Sequence, residues 1–102
     1  MADQFDYVIV GAGTAGCVLA NRLTACGKYT VCLLEAGPPD WNPMIHIPAG
    51  FMKTIANPSV NWLYQSEPCP GTNGRTIPMP RGKVLGGSSS INGLIFNRGQ
   101  KM

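Results

Sequence analysis

The sequence is poor in charged side chains, which make up 13% of its 102 residues. Globular proteins usually carry about a quarter, so we expect much of this chain's surface to be covered by a ligand or by more protein. The hydrophobic fraction of 44% argues against disorder. No apolar run is long enough to span a membrane, and Asp3 and Asp6 stand where a secretory signal has basic residues. We therefore expect a cytoplasmic protein without a membrane span.

Acidic residues are missing from the last third of the chain. None follows Glu67, and the basic residues after it are Arg75, Arg81, Lys83, Arg98 and Lys101. Surfaces that bind nucleic acid carry denser positive charge with interleaved aromatic residues, so we expect no nucleic-acid partner. Two uses of this charge remain open: a solvated basic face, or neutralisation of an anionic cofactor.

Histidine and paired cysteines are also scarce. His46 is the only histidine, and because no acidic residue stands close to it in sequence we assign it no catalytic role. The four cysteines, Cys17, Cys26, Cys32 and Cys69, form no C-x-x-C pair and show no zinc-ligand spacing. No metal site is predicted. We expect the cysteines to be buried free thiols, with disulfides as the alternative.

The most informative feature present is a glycine motif near the start. Gly11, Gly13 and Gly16 have G-x-G-x-x-G spacing directly after residues 5–10, which are predicted to form a buried parallel strand. The first glycine of this motif permits a tight turn, the second lets the backbone approach a pyrophosphate, and the third lets helix and strand pack closely. A helix predicted over residues 14–26 would direct its N-terminus at the phosphates.

A second predicted strand, residues 30–34, ends in Glu35. This carboxylate lies about 20 residues after the glycines, where a dinucleotide-binding βαβ unit places the acid that accepts from ribose hydroxyls. Its charge disfavours a 2′-phosphate. The alternative is a βαβ unit whose glycines bind nothing and whose Glu35 is solvated. We favour an adenine dinucleotide site, and these residues alone leave NAD and FAD both open.

Residues 38–80 are dense in proline and glycine, which break the chain into short elements. We predict one short helix within residues 47–56, with Pro48 in its first turn. Two short strands are predicted at residues 62–66 and 76–79, and Pro78 confines the second to a sheet edge. This excursion departs from an NAD-type Rossmann domain and favours a flavoprotein.

A second glycine turn lies within residues 81–93. Gly86 and Gly87 let the backbone approach a ligand, and any of the three following serines could cap a helix predicted to begin near Ser89. Apolar residues on both sides predict that a core anchors the turn; they are Val84, Leu85, Ile91, Leu94, Ile95 and Phe96. The alternative is a flexible Gly/Ser loop.

Two turns of this kind resemble the N-terminus of the glucose–methanol–choline (GMC) oxidoreductases. The resemblance covers residues 5–99 and rests on residues 6–17, 33–37, 61–62 and above all 81–98, which resemble a specific signature of the family. The choline-dehydrogenase-like branch is the most similar. The resemblance implies an α/β fold in which all 102 residues form the N-terminal part of a larger FAD-binding domain. Its parts would be a Rossmann-like βαβ unit (1–37), a Pro/Gly-rich excursion (38–80), and a second FAD-contacting turn and helix (81–99).

The resemblance also implies how FAD would be held. The first turn would bind the pyrophosphate, Glu35 the adenosine ribose and Trp62 the adenine side. The middle of the cofactor would be lined by Arg81, Val84, Gly86, Gly87 and Ser89, and the isoalloxazine edge by residues 92–95. The implied cofactor-binding residues are Gly11, Gly13, Thr14, Ala15, Gly16, Glu35, Ala36, Trp62, Arg81, Val84, Gly86, Gly87, Ser89, Asn92, Gly93, Leu94 and Ile95. Some relatives attach FAD through a histidine at the position of Ile91, which has no nucleophile. We therefore predict non-covalent FAD.

The implied reaction is oxidation of a small-molecule alcohol by hydride transfer to flavin N5. The family's catalytic base is a histidine far toward the C-terminus, so no catalytic residue is predicted in this chain. We expect it to act with the remainder of the enzyme or with a complementary chain. One alternative is a truncated, non-catalytic chain that binds only a nucleotide or a partner polypeptide. Another is a flavoprotein with two dinucleotide-binding domains.

Overall fold

The N-terminal part of the computed structural model is a βαβ unit. The structure describes residues 4–100, so Asp3, Lys101 and the outermost residues of the predicted segments lie outside it. Strand β1 (Tyr7–Val10) leads into helix α1 (Thr14–Thr24), and β2 (Val31–Leu34) returns parallel to β1. Gly27, with φ of 67°, stops the helix in a backbone region that glycine adopts freely. The predicted α/β fold is confirmed.

Hydrogen bonds between Asp6 and Thr30 join β1 to the start of β2 at the end opposite the glycine motif. The backbone N–H and the hydroxyl of Thr30 donate to Asp6 Oδ2, at 2.7 and 2.8 Å. Because both bonds favour the charged carboxylate, they lower the pKa of Asp6 below its ordinary value. The Thr30 carbonyl in turn accepts from the N–H groups of Asp6 and Tyr7. These bonds set the register in which Tyr7 lies opposite Val31.

The segment after β2 consists of short helical pieces. Helix α2 (Pro43–His46) was not predicted; it begins at Asn42, whose side chain accepts from the Met44 N–H at 3.0 Å. A 3₁₀ turn (Pro48–Gly50) then runs directly into α3 (Phe51–Thr54). The helix predicted within residues 47–56 is therefore present as two joined pieces, and Pro48 lies in the first turn as expected.

A two-stranded antiparallel ribbon follows. Strand β3 (Tyr64–Gln65) pairs with β4 (Pro78–Met79), both shorter than predicted. Pro78 lies opposite Gln65 in this ribbon, where its missing N–H is tolerated. The pairing continues beyond the strands, since Trp62 N–H donates to the Arg81 carbonyl at 2.9 Å. The ribbon thus brings the chain around Trp62 beside the start of the second glycine turn.

The buried core is small and holds the second turn in place. It consists of Val60, Val84 and Ile91, with Ile45 packed against it. The prediction that the core also includes the apolar residues after Ile91 was wrong, since Ile95 is 90% exposed. Leu85, Leu94 and Phe96 are exposed as well. Anchoring therefore comes from one buried residue on each side of the turn, Val84 before it and Ile91 after it.

The prediction of a buried first strand was also wrong. Val8 is 59% exposed and Val10 84% exposed. The reason is that helix α1 packs on the Ile9 side of this narrow two-stranded sheet. Within residues 4–100, the opposite face, which carries Val8 and Val10, stays largely uncovered. Exposed apolar surface of this kind is typical of a binding site. Its coverage by a ligand or by more protein stays a prediction.

The cysteines differ from the prediction in their burial. Cys17 and Cys32 are half-buried, whereas Cys26 and Cys69 are exposed, and all four are free thiols. The hydroxyl of Thr72 lies 3.6 Å from the Cys69 sulfur and lowers the pKa of that thiol. Within residues 4–100, no His, Cys, Asp and Glu side chains cluster as metal ligands would. The helices described there are all too short or too polar to cross a bilayer.

Candidate cofactor site

The first glycine turn uses each of its three glycines differently. Gly11 has φ of 96°, and a Cβ there would have no described atom within 4 Å, so its requirement is conformational. A Cβ on Gly16 would lie 2.0 Å from the Gly11 carbonyl oxygen, so this glycine is required for close packing of the helix. A Cβ on Gly13 would meet only Gly87 Cα, at 4.0 Å. Gly13 therefore leaves open space beside the backbone.

The start of α1 is suited to an anion. Gly13 is the N-cap residue and supplies no side-chain acceptor, and the first turn of the helix contains no acidic residue. The first N–H groups of a helix have no partner within it, and they carry the positive end of the helix dipole. Together with the open side of Gly13, these donors form a place where a phosphate can approach the backbone.

Glu35 connects the first turn to the end of β2. Its Oε2 atom accepts from the Ala12 N–H at 2.8 Å, and its Oε1 atom accepts from the Gly37 N–H at 2.9 Å. Each carboxylate oxygen retains a lone pair for a further donor such as a ribose hydroxyl. The sequence predicted only that Glu35 would bind the ribose. The support that Glu35 gives to the turn depends on two backbone N–H groups that only the folded chain brings to it.

The second glycine turn packs directly on the first. The Gly86 N–H donates to the Ala12 carbonyl at 2.7 Å. A Cβ on Gly87 would lie 2.8 Å from Gly13 Cα, closer than real side chains come. The two glycine motifs, distant in sequence, therefore form one backbone-to-backbone contact that excludes side chains.

The three serines close the second turn, and the prediction that they cap a helix near Ser89 was wrong. The chain forms a single 3₁₀ turn (Gly87–Ser90) after Gly86, whose φ is 91°. The hydroxyls face earlier parts of the chain: Ser89 donates to the Gly86 carbonyl at 2.6 Å, Ser90 donates to the Leu85 carbonyl at 2.9 Å, and Ser88 accepts from the Gly82 N–H at 3.0 Å. Consecutive left-handed glycines bend the chain so that these hydroxyls reach it.

A cleft of about 640 Å³ lies between the two turns and the ribbon. This volume is within the range of small-molecule and cofactor sites. The predicted residues that line it are Gly11, Gly13, Glu35, Ala36, Trp62, Arg81 and Gly87. A neighbouring depression over the start of α1 is lined by Thr14, Ala15, Gly16 and Ser89, together with Gly11 and Gly13. Most of the predicted cofactor residues are thus brought to one continuous region.

An aromatic pair forms one wall of the cleft. The rings of Trp62 and Tyr64 are stacked with centroids 5.9 Å apart and planes 4° from parallel. The Lys83 ammonium lies 4.7 Å from the Trp62 ring, within the range of a cation–π contact. Sequence reasoning named Trp62 and missed Tyr64 and Lys83. The alternation of aromatic residues at positions 62 and 64 was the available signal.

Six predicted residues lie outside the lining of the cleft and of the depression beside it. The Val84 side chain is fully buried in the core, and the Gly86 N–H is used by Ala12, so both residues support the turns. Asn92 and Leu94 line a separate small groove, while Gly93 and Ile95 line none of the described clefts. The contact of residues 92–95 with the isoalloxazine edge stays a prediction.

His46 has an acidic neighbour after all. Its Nε2 atom lies 3.6 Å from Asp40 Oδ2 and 2.6 Å from the Asp40 carbonyl oxygen. The loop before α2 creates this contact by bringing Asp40 back onto the helix end. Both side chains are exposed and neither lines the cleft. The structure therefore gives His46 no position from which to act on a bound cofactor.

Comparison with known proteins identifies the family. The family model described as GMC oxidoreductase matches residues 5–102. The chain belongs to the GMC oxidoreductase family. An alcohol dehydrogenase (acceptor) from Pseudomonas putida is 54% identical over 96% of this chain and 18% of its own length. The mitochondrial choline dehydrogenase of Mus musculus is 45% identical over 95% of this chain and 17% of its own length.

Solved structures of two oxidases share the fold. Pyridoxine 4-oxidase from Mesorbium loti superposes with a TM-score of 0.87 and 38% identity, over 94% of this chain and 19% of that one. A formate oxidase from Aspergillus oryzae RIB40, studied for modification of its FAD, has a TM-score of 0.77 and 39% identity, over 86% of this chain and 16% of that one. This GMC oxidoreductase chain therefore spans less than a fifth of the length of these relatives.

Proposed function

We propose that this chain is the FAD-binding segment of a flavoenzyme that oxidises an alcohol. The observation that carries the proposal is the contact between the two glycine turns, both of which line the cleft of about 640 Å³. One turn presents the open N-terminus of α1, and the Glu35 carboxylate supports it from the other side. Family membership supports FAD as the dinucleotide. The names of the relatives from Pseudomonas putida and Mus musculus support an alcohol as substrate.

The residues present fit each part of FAD. The backbone of Gly13 has the open space that a diphosphate needs, and the N–H groups that follow it have no side-chain partner at the cap. Glu35 lines the cleft, and each of its carboxylate oxygens retains a lone pair for a ribose hydroxyl. The stacked rings of Trp62 and Tyr64 offer an apolar surface for adenine.

The chain's own contribution to the reaction is binding and orientation. When bound, FAD supplies the acceptor for a hydride from the alcohol carbon. We place the base that takes the alcohol's proton outside this chain, because His46 is engaged with Asp40 away from the cleft. The remainder of the enzyme or a complementary chain would supply that base and cover the exposed apolar surface.

Non-covalent attachment is also part of the proposal. Ile91 stands where some relatives carry a histidine that bonds to FAD. Its side chain is 3% exposed and belongs to the core with Val60 and Val84. An aliphatic side chain packed in this way offers the flavin no nucleophile. These observations support a cofactor that is not bonded covalently through residue 91.

The test is a flavin absorption spectrum of the protein expressed from its complete gene, before and after acid precipitation. We expect a yellow protein whose colour moves entirely into the supernatant. Colour that stays in the pellet would contradict non-covalent attachment. A colourless protein that fails to bind added FAD would contradict the FAD site and favour a non-catalytic chain.

A second measurement separates the cofactor from the substrate. The FAD-bound protein is mixed anaerobically with a panel of alcohols that includes choline, and the loss of flavin absorbance is followed. We expect bleaching by at least one alcohol. If the protein keeps its FAD and none of the alcohols bleaches it, the result would contradict an alcohol as substrate and leave the proposed FAD site unaffected.

A further inference from the structure

We propose that Asn61 is a positioning residue that sets Trp62 and Arg81 side by side at the wall of the cleft. The inference rests on the proposed FAD-binding function and adds a residue to that site. Asn61 is 2% exposed, so its side chain cannot touch a ligand in the cleft. Its influence must pass through the residues to which it is bonded.

The Asn61 amide joins three separate segments of the chain. Its Oδ1 atom accepts from the backbone N–H of Leu63 and from that of Arg81, both at 3.0 Å. Its Nδ2 atom donates to the Ile55 carbonyl at 2.5 Å. Both acceptor positions and one of the two donors are therefore used. A buried polar group bonded in this way is costly to remove, because its partners lose their bonds away from water.

The bonds of Asn61 act where the cleft wall is formed. Arg81 is a wall residue, and its N–H is held directly. In sequence, Leu63 stands between Trp62 and Tyr64. Its φ of 54° is a left-handed conformation that bulky residues rarely adopt. The bond from Asn61 holds that conformation. Trp62 is then fixed against Arg81 through its own N–H bond to the Arg81 carbonyl.

In the wall positioned by Asn61, Trp62 is assigned to the adenine side of FAD and Arg81 to the middle of the cofactor. Loss of the amide should therefore weaken ligands that contain adenine and leave the flavin half less affected. Thr54 provides a matched control, since it is equally buried and its hydroxyl bonds only within α3, to the Phe51 carbonyl. Removing that hydroxyl lowers stability without touching the cleft wall.

The test compares Asn61→Ala, Asn61→Asp and Thr54→Val in the apoprotein expressed from its complete gene. Dissociation constants for ADP and for FMN are measured by calorimetry, with thermal unfolding beside them. We expect Asn61→Ala to weaken ADP roughly tenfold, the effect of one or two lost hydrogen bonds, and to leave FMN within about twofold. Asn61→Asp keeps the acceptor oxygen for Leu63 and Arg81 but turns a carboxylate oxygen toward the Ile55 carbonyl, so its ADP affinity should lie between those of wild type and Asn61→Ala. Thr54→Val should change neither constant.

Two results would overturn the role of Asn61: equal weakening of ADP and FMN in Asn61→Ala, or an unchanged ADP constant in that variant. Failure of the wild-type protein to bind either ligand would instead contradict the proposed function. Hydrogen exchange at the Leu63 and Arg81 amides then still tests the positioning, because both should stay protected in wild type and in Asn61→Asp. Rapid exchange of these amides in wild type would contradict the positioning role of Asn61. This measurement does not require Asn61→Ala to fold.

Discussion

The first glycine turn, residues 11–16, begins an 11-residue helix, whereas the second ends in a single 3₁₀ turn (Gly87–Ser90). At the first turn, the side of Gly13 is open and the helix start has free donors. At the second, the N–H groups of Gly86 and Gly87 are used by the carbonyls of Ala12 and Val84. The two glycine-rich turns therefore have different roles. The glycines of the first turn leave room for a ligand, and those of the second turn let the backbone pack against the first turn.

The largest effect is expected for Gly87→Ala. A Cβ there would lie 2.8 Å from Gly13 Cα on a residue with φ of 63°, so overlap and strain act together. We expect the free energy of unfolding of the apoprotein to fall by about 2–4 kcal/mol, measured by denaturant titration. Gly71→Ala is the control, because its nearest described neighbour would be Cys69 Sγ at an ordinary 3.8 Å. Unchanged stability with lost FAD affinity would reverse the roles of the two turns.

Gly13→Ala should show the opposite pattern. The chain has room for the added methyl, so we expect the stability of the apoprotein to change by less than about 1 kcal/mol. The methyl would occupy the space through which a diphosphate approaches. We therefore expect the dissociation constant of FAD to rise at least about tenfold, or roughly 1.4 kcal/mol, in a fluorescence titration. Unchanged FAD affinity would show that the diphosphate binds elsewhere.

The smallest effect concerns the hydroxyl contact between the turns. Thr14 Oγ1 donates to Ser89 Oγ at 3.2 Å, and both residues are exposed. A double-mutant cycle with Thr14→Val and Ser89→Ala should give a coupling of about 0.5–1 kcal/mol in apoprotein stability. Fully additive effects would mean that the backbone contacts alone join the two turns.

The βαβ unit could be predicted because its signals are local. The glycine spacing, the apolar strands and the stop at Gly27 each act within a few residues of where they stand. Helix α2 also had such a signal, Asn42 as N-cap with Pro43 after it, which sequence reasoning did not use.

The rest of the site could not be predicted, because it depends on contacts between distant segments. The serines of the second turn bond to earlier carbonyls only after two left-handed glycines have bent the chain. Glu35 supports the first turn through the Ala12 N–H, and Asn61 acquires its partners only when the ribbon forms. Exposure of Val10 and Ile95 reflects which surfaces the described residues cover, and apolar character alone does not reveal that.

The most direct test of the difference between the two turns is a crystal structure of the FAD-bound protein expressed from its complete gene. We predict the diphosphate oxygens within hydrogen-bonding distance of the backbone N–H groups that follow Gly13, with a ribose hydroxyl on Glu35. A diphosphate held instead by the N–H groups of residues 87–90, away from the start of α1, would contradict it.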